Sequence, residues 1–235
     1  MAKIIRKKKV TKHKLKEDRF LETTKNFITF FRANSSRVIL AVIILLGVVI
    51  AVNIYFANRR NAEETARVKI LYSNSLYENG NFKEAVSSYL EVVNMHGGTK
   101  TAKIATLFLA NSYFFSGDMD NALLYYEKSL DILKRNPNWA SSAAIGIASV
   151  FEQKGMFEEA IKKYTDVIVN YKDTPARIDA LFSKARCLEF TNCYTEAIEV
   201  YLMIENEYPD AVFADEAKKR IVFLRGATES ERIPK

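Results

Sequence analysis

Histidine and cysteine are nearly missing from this chain. Its 235 residues hold two of each: His13 and His96, Cys187 and Cys193. A long apolar run separates the histidines, so no site needing two imidazoles can assemble. No spacing of His, Cys, Asp and Glu matches a metal centre either. Phosphate-cradling loops of the forms G-x-x-x-x-G-K-[ST] and G-x-G-x-x-G are also absent. Carboxylate pairs such as Glu158-Glu159 fall where second helices begin, and there they favour the positive helix end. The sequence therefore predicts no enzyme, no cofactor and no metal. Cys187 and Cys193 on one continuous helix would stand ~9 Å apart, beyond the ~7 Å reach of a disulfide. They are expected to be free, with pairing open only if the chain turns back after Phe190.

A basic surface on the large C-terminal part is lacking too. The formal charge of +7 arises from residues 1–37, where 12 Lys and Arg face Glu17, Asp18 and Glu22; the remainder has 23 basic against 25 acidic residues. Nucleic-acid binding needs a basic face, so no nucleic-acid partner is predicted. Within residues 1–37, Met1 to Lys16 is expected to be solvated, and the spacing of Phe20, Leu21, Phe27, Ile28, Phe30 and Phe31 predicts a short amphipathic helix. Beside a membrane such a segment lies in the headgroup layer.

What is present in quantity is one uncharged stretch, Val38 to Ala57. At ~1.5 Å per residue its twenty residues reach ~30 Å as a helix, the thickness of a bilayer core. Residues 38–57 are expected to be a retained transmembrane anchor in contact with the lipid bilayer. The basic run is too long for a signal peptide, and Tyr55 stands where a small residue would precede a cut at Ala57. The cluster from Arg6 to Lys16 places the N-terminus in the cytoplasm and the C-terminal part across the membrane, although Arg59, Arg60, Arg67 and Lys69 weaken the asymmetry close to the span.

Beyond the run the chain repeats. Gly80, Gly117, Gly155 and Asn192 each precede an alanine by five residues, at 85, 122, 160 and 197, and a tyrosine follows four later, at 89, 126, 164 and 201. A small residue stands seven before each turn: Ser73, Ala110, Ala148 and Ala185. Gly and Asn tolerate positive φ at a tight turn, and Ala lets two helix backbones approach. A period of 37–38 residues means a solenoid of stacked helix pairs. Pro137, Pro175 and Pro209 are expected to end second helices, and His96-Gly97-Gly98 does so in the first copy. Phe213 to Arg225 reads as a closing helix that Gly226 terminates, with 226–235 disordered. The predicted class is all-α: cytoplasmic tail 1–37, span 38–57, repeat domain 58–225.

Small residue, turn glycine, alanine, aromatic and proline together resemble the tetratricopeptide repeat family over roughly Ala66 to Pro209, with Val92, Ser129, Val167 and Ile204 where the family often has a second alanine. With the Lys-rich tail and single span, the chain is similar to bacterial single-pass membrane proteins related to the ancillary subunit of the Sec translocon. That resemblance implies a protein-interaction scaffold in the inner membrane with periplasmic repeats, whose partners are exported chains, chaperones or translocon subunits. A coordinating protein of cell-division or outer-membrane assembly is the alternative. By the same resemblance, first helices line the binding groove: Ile70, Asn74 and Tyr77; Ile104, Leu107, Asn111, Phe114 and Phe115; Ile145, Ser149 and Glu152; Phe182, Arg186, Glu189 and Phe190. Ser142 and Gly146 stand where members that clamp a C-terminal carboxylate carry Lys or Arg, so that mode is not expected.

Overall fold

The computed structural model describes residues 12–231, with side chains described from 21 to 228. Ten α-helices and no strand occur among them: α1 Lys12–Ala33, α2 Ser35–Glu78, α3 Phe82–Met95, α4 Lys100–Phe115, α5 Met119–Leu133, α6 Pro137–Gln153, α7 Phe157–Asn170, α8 Ala176–Phe190, α9 Tyr194–Glu207 and α10 Val212–Glu231. The chain divides into two units, Met1–Asn58 and Arg59–Lys235. The first holds α1 and the apolar part of α2, which by length and composition could cross a membrane. Every side chain from Ile39 to Asn58 in it is exposed. Asn53, the polar residue of the run, donates its Nδ2 to the Val49 carbonyl at 2.8 Å, which internalises one of its donors.

The second unit is four helix pairs and a closing helix. The end of α2 pairs with α3, then α4 with α5, α6 with α7, and α8 with α9, and α10 packs on α9. The repeated residues explain the pairing. Gly80, Gly117 and Gly155 have φ of 75°, 89° and 72°, and Asn192 has 58°, so each turn occupies the left-handed region as its residue type requires. Ala85, Ala122, Ala160 and Ala197 are fully buried where the two helices of a pair meet, and so are Ser73, Ala110, Ala148 and Ala185. Val92, Ser129, Val167 and Ile204 are also fully buried, so the larger residues are accommodated at the position where a second alanine is common.

Glu63 on α2 holds the start of α4. Its carboxylate accepts the Lys100 amide at 2.7 Å, the Thr101 amide at 3.1 Å and the Thr101 hydroxyl at 2.7 Å. Burial works against the charge there, but these donors outweigh it and hold the Glu63 carboxyl below its usual range.

Four expectations change. Helix α1 begins at Lys12, so the helical backbone reaches into the basic run; residues 1–11 lie outside the described residues. Pro137 occupies the first turn of α6, and Pro175 is the N-cap of α8. They open first helices rather than close second ones, because an N-terminal turn has spare N–H groups and loses nothing to proline. Pro209 does follow α9. Gly226 does not stop α10, which runs on to Glu231. A Cβ at Gly226 would meet nothing, its φ is not positive, and an isolated glycine lowers helix stability by only about 1 kcal/mol. Cys187 and Cys193 are both free.

Candidate functional site

The groove is built on the four repeated tyrosines. Each is buried, and each hydroxyl reaches back to the first helix of its own pair. Tyr89 donates to Asn74 Oδ1 at 2.6 Å and Tyr126 to Asn111 Oδ1 at 2.7 Å. Tyr164 donates to Glu152 at 2.7 Å and shares a hydrogen bond with Ser149 at 3.1 Å. In the fourth pair the residue fifteen before the tyrosine is Arg186, which cannot accept, so Tyr201 donates to Glu189 at 2.7 Å. Burial raises all four phenols, that of Tyr201 to about 12. Because Asn74 and Asn111 are held through their oxygens, their amide nitrogens keep N–H groups for another acceptor.

Successive first helices are tied by a repeated ion pair. Arg186 on α8 donates to Glu152 on α6 at 2.8 Å, and Arg220 on α10 donates to Glu189 on α8 through Nε at 3.0 Å and through Nη2. Both glutamates are nearly buried, so each carboxylate is committed to one tyrosine and one arginine.

A cavity of about 630 Å³ opens on this face and takes lining residues from all four pairs. Tyr77, Asn111, Phe114 and Phe115 form one wall, and Ser142, Ile145, Gly146 and Ser149 of α6 form the floor. Asn138, Pro175, Ala176 and Asp179 close the other side. Repeat positions explain how its floor is packed. Phe108, nine residues before Gly117, stacks on Tyr89 of the preceding pair with ring centroids 5.9 Å apart. One repeat later, nine before Gly155, the same position is Gly146. Tyr126 of the preceding pair packs directly against its backbone, so its ring takes the place that a side chain at this position would need.

Of the residues expected in the groove, Tyr77, Asn111, Phe114 and Phe115 line this cavity with Ile145 and Ser149. Asn74 sits one pair away, bound to Tyr89. Leu107 is buried in the core beside Ala110 and Ala122, and Phe108, 100° round the helix, takes the place between the tyrosines. Phe182 stacks on Phe213 of α10 at 4.9 Å. Arg186 and Phe190 line a separate cavity of about 320 Å³ with Glu189 and Arg220, and Phe190 stacks on Phe157. The expected residues thus divide between two cavities, with Asn74, Leu107 and Phe182 among those in neither, and do not form one continuous strip. The repeat pattern gives no signal for Asp179, whose counterparts are Arg67, Ile104 and Ser142, nor for Asn138 and Ser141 at the start of α6, which also line the cavity. No group of three metal-ligating side chains occurs among the described residues.

A stack of helix pairs with a lined face and no reacting constellation among the described residues defines a class, the helical-hairpin interaction scaffolds. Residues 29–176 match the tetratricopeptide repeat-like domain family; the match covers more than half of the chain, which belongs to that family. The fourth pair lies past the match but keeps the same turn, alanine and tyrosine. No curated protein matches the sequence. Among solved structures the chain is similar to a Podosopora anserina putative kinesin light chain with nearly identical tetratricopeptide-like repeats (TM-score 0.58, 16% identity, 72% of this chain and 89% of that one). It is also similar to a tetratricopeptide repeat protein from Parabacteroides merdae (TM-score 0.56, 16% identity, 71% of this chain and 62% of that one). At such identities the likeness is one of fold.

Proposed function

We propose that this protein is a membrane-anchored scaffold whose repeats bind polypeptide on the periplasmic side of a bacterial inner membrane, receiving exported chains or chaperones at the Sec translocon. The observation that carries the binding role is the cavity of about 630 Å³, of a size that suits a ligand and walled by aromatic rings beside free amide donors. Apolar side chains of an extended segment fit Phe114, Phe115 and Ile145, and its carbonyls fit the Asn111 amide. The anchoring role is supported by α2, whose exposed apolar run is long enough to cross a bilayer, and by the basic residues before it.

The test uses the full chain in nanodiscs with a fluorescent, permanently unfolded polypeptide. Wild type binds, and Phe114→Ala with Phe115→Ala weakens binding about tenfold while the helical signal is kept. Unchanged binding by that double variant removes the cavity from the function. In intact cells, cross-linking followed by mass spectrometry is expected to recover translocon subunits; recovery of division or outer-membrane machinery alone would replace the translocon assignment. Protease added from the periplasmic side is expected to cut at Lys134-Arg135, and cleavage from the cytoplasmic side alone would invert the topology.

A further inference from the structure

Asp179 differs from Glu152 and Glu189, the other carboxylates on the third and fourth first helices beside the groove. Glu152 and Glu189 are consumed by Arg186, Arg220 and two tyrosines, and Glu63 by the start of α4. Asp179 has no hydrogen bond and no ion pair among the described residues, yet it lines the cavity. It is the one charged side chain there among the described residues. Its neighbours across the space are rings, hydroxyls and amides, and no Lys or Arg lines the wall. It lies in the first turn of α8, where the helix favours the anion. The side chain is exposed to the cavity, while the surrounding walls desolvate its carboxyl and push it above the usual range. An occupant that covered it without neutralising it would bury a bare charge, which is costly.

We propose that the cavity selects a polypeptide segment carrying a basic side chain, with the Lys or Arg cation seated on the Asp179 carboxylate and the flanking apolar side chains against Phe114, Phe115 and Ile145. This rests on the polypeptide-binding reading of the same cavity and adds to it a rule of choice. Geometry and charge agree. The apolar wall comes from α4, the acidic point from α8, and between them the cavity floor carries the short side chains of Ser142 and Ser149, over which a long side chain can cross. The hydroxyls of Ser142 and Ser149 and the amide of Asn138 can solvate the ammonium or guanidinium donors that Asp179 does not take. Acidic segments are rejected by the same carboxylate, and purely apolar ones leave it unpaired.

The experiment measures fluorescence anisotropy of three labelled 12-residue peptides against the full chain in nanodiscs. Each alternates Leu and Ser around a central Lys, Gln or Glu. The Lys peptide is expected to bind about 5- to 10-fold tighter than the Gln peptide, with the Glu peptide weakest. Asp179→Asn should bring Lys and Gln within about twofold, and Asp179→Lys should reverse the order in favour of Glu. Asp173→Asn, an exposed carboxylate in the loop before α8, should leave the order intact. Because Asp179 makes no internal bond, its replacement leaves the fold unloaded, and the circular dichroism of each variant checks this. Equal binding of all three peptides overturns the rule of choice and leaves the polypeptide-binding groove standing. Binding of none overturns both. Displacement of the Lys peptide by n-butylamine alone at equal concentration would make the site one for a small cation and overturn the polypeptide occupant.

Discussion

Gly146→Ala should destabilise the protein although it replaces glycine inside a helix. In most helix interiors alanine gains about 1 kcal/mol over glycine. Here a Cβ would fall less than 3.0 Å from Cε1, Cζ and Cδ1 of Tyr126, a ring already fully packed and tied to Asn111. Overpacking of a core typically costs about 1–3 kcal/mol, and displacing the ring weakens a buried hydrogen bond of about 1 kcal/mol. With the propensity gain subtracted, the net loss is about 1–3 kcal/mol. Trp139, the only tryptophan, stands on the same helix with its ring 6.5 Å from Phe108, so its fluorescence during urea unfolding reports this step of the stack. The decisive measurement is a cycle with Tyr126→Leu. Without the ring the clash vanishes, and Gly146→Ala should then be neutral or stabilising by up to about 1 kcal/mol. Equal destabilisation in both backgrounds would refute the account, because it would mean that something other than Tyr126 demands glycine.

Asp118 caps α5 by accepting the Asn121 amide at 3.1 Å, while Met156 holds the same place before α7 with no capping bond. Met156→Asp should therefore stabilise by about 1 kcal/mol, measured as a rise in urea midpoint; a fall would show that the exposed Met156 side chain matters more than the cap. Cys187 is buried and its thiol is pushed up to about 12, so a maleimide at pH 7.5 should label Cys193 in the folded protein and reach Cys187 only after denaturation. Burial raises the phenols of Tyr89, Tyr126, Tyr164 and Tyr201 above the ~10 of an unfolded chain. Between those values the unfolded state has lost protons that the native state keeps. Stability is thus fully present below about pH 10 and falls above it, by up to about 1.4 kcal/mol per pH unit for each tyrosine. Absorbance at 295 nm should show these four ionising together with unfolding, and independent ionisation in the folded state would contradict the burial.

The hairpin turns, their alanines and their tyrosines were legible because the same physical demand is met four times: a positive φ, a close helix approach, a filled gap. The groove was legible only in part. A repeat identifies which helix a residue is on, but adjacent residues differ by 100° around the axis, and that decided between Leu107 in the core and Phe108 between the tyrosines. Arg186 was visible as a charge on a first helix; its commitment to Glu152 depends on the neighbouring pair, which a single repeat does not contain. Gly146 reads in the sequence as a place without a cation, whereas its real consequence is the close approach of the Tyr126 ring. Asp179 stands where the other copies have Arg67, Ile104 and Ser142, a position with no shared residue type, so the likeness of the copies gives no sign of it.

The Glu–Arg joint between first helices has one more consequence. Each pair from the third onward presents glutamate on its outgoing side, and α10 answers the last one with Arg220 as though it were a fifth incoming helix. The stack therefore has a modular end. A duplicate of α8–α9 inserted ahead of α10 would offer its Arg186 to Glu189 of the original α8 and its own Glu189 to Arg220, so the array could lengthen by a whole unit with the same kind of joint.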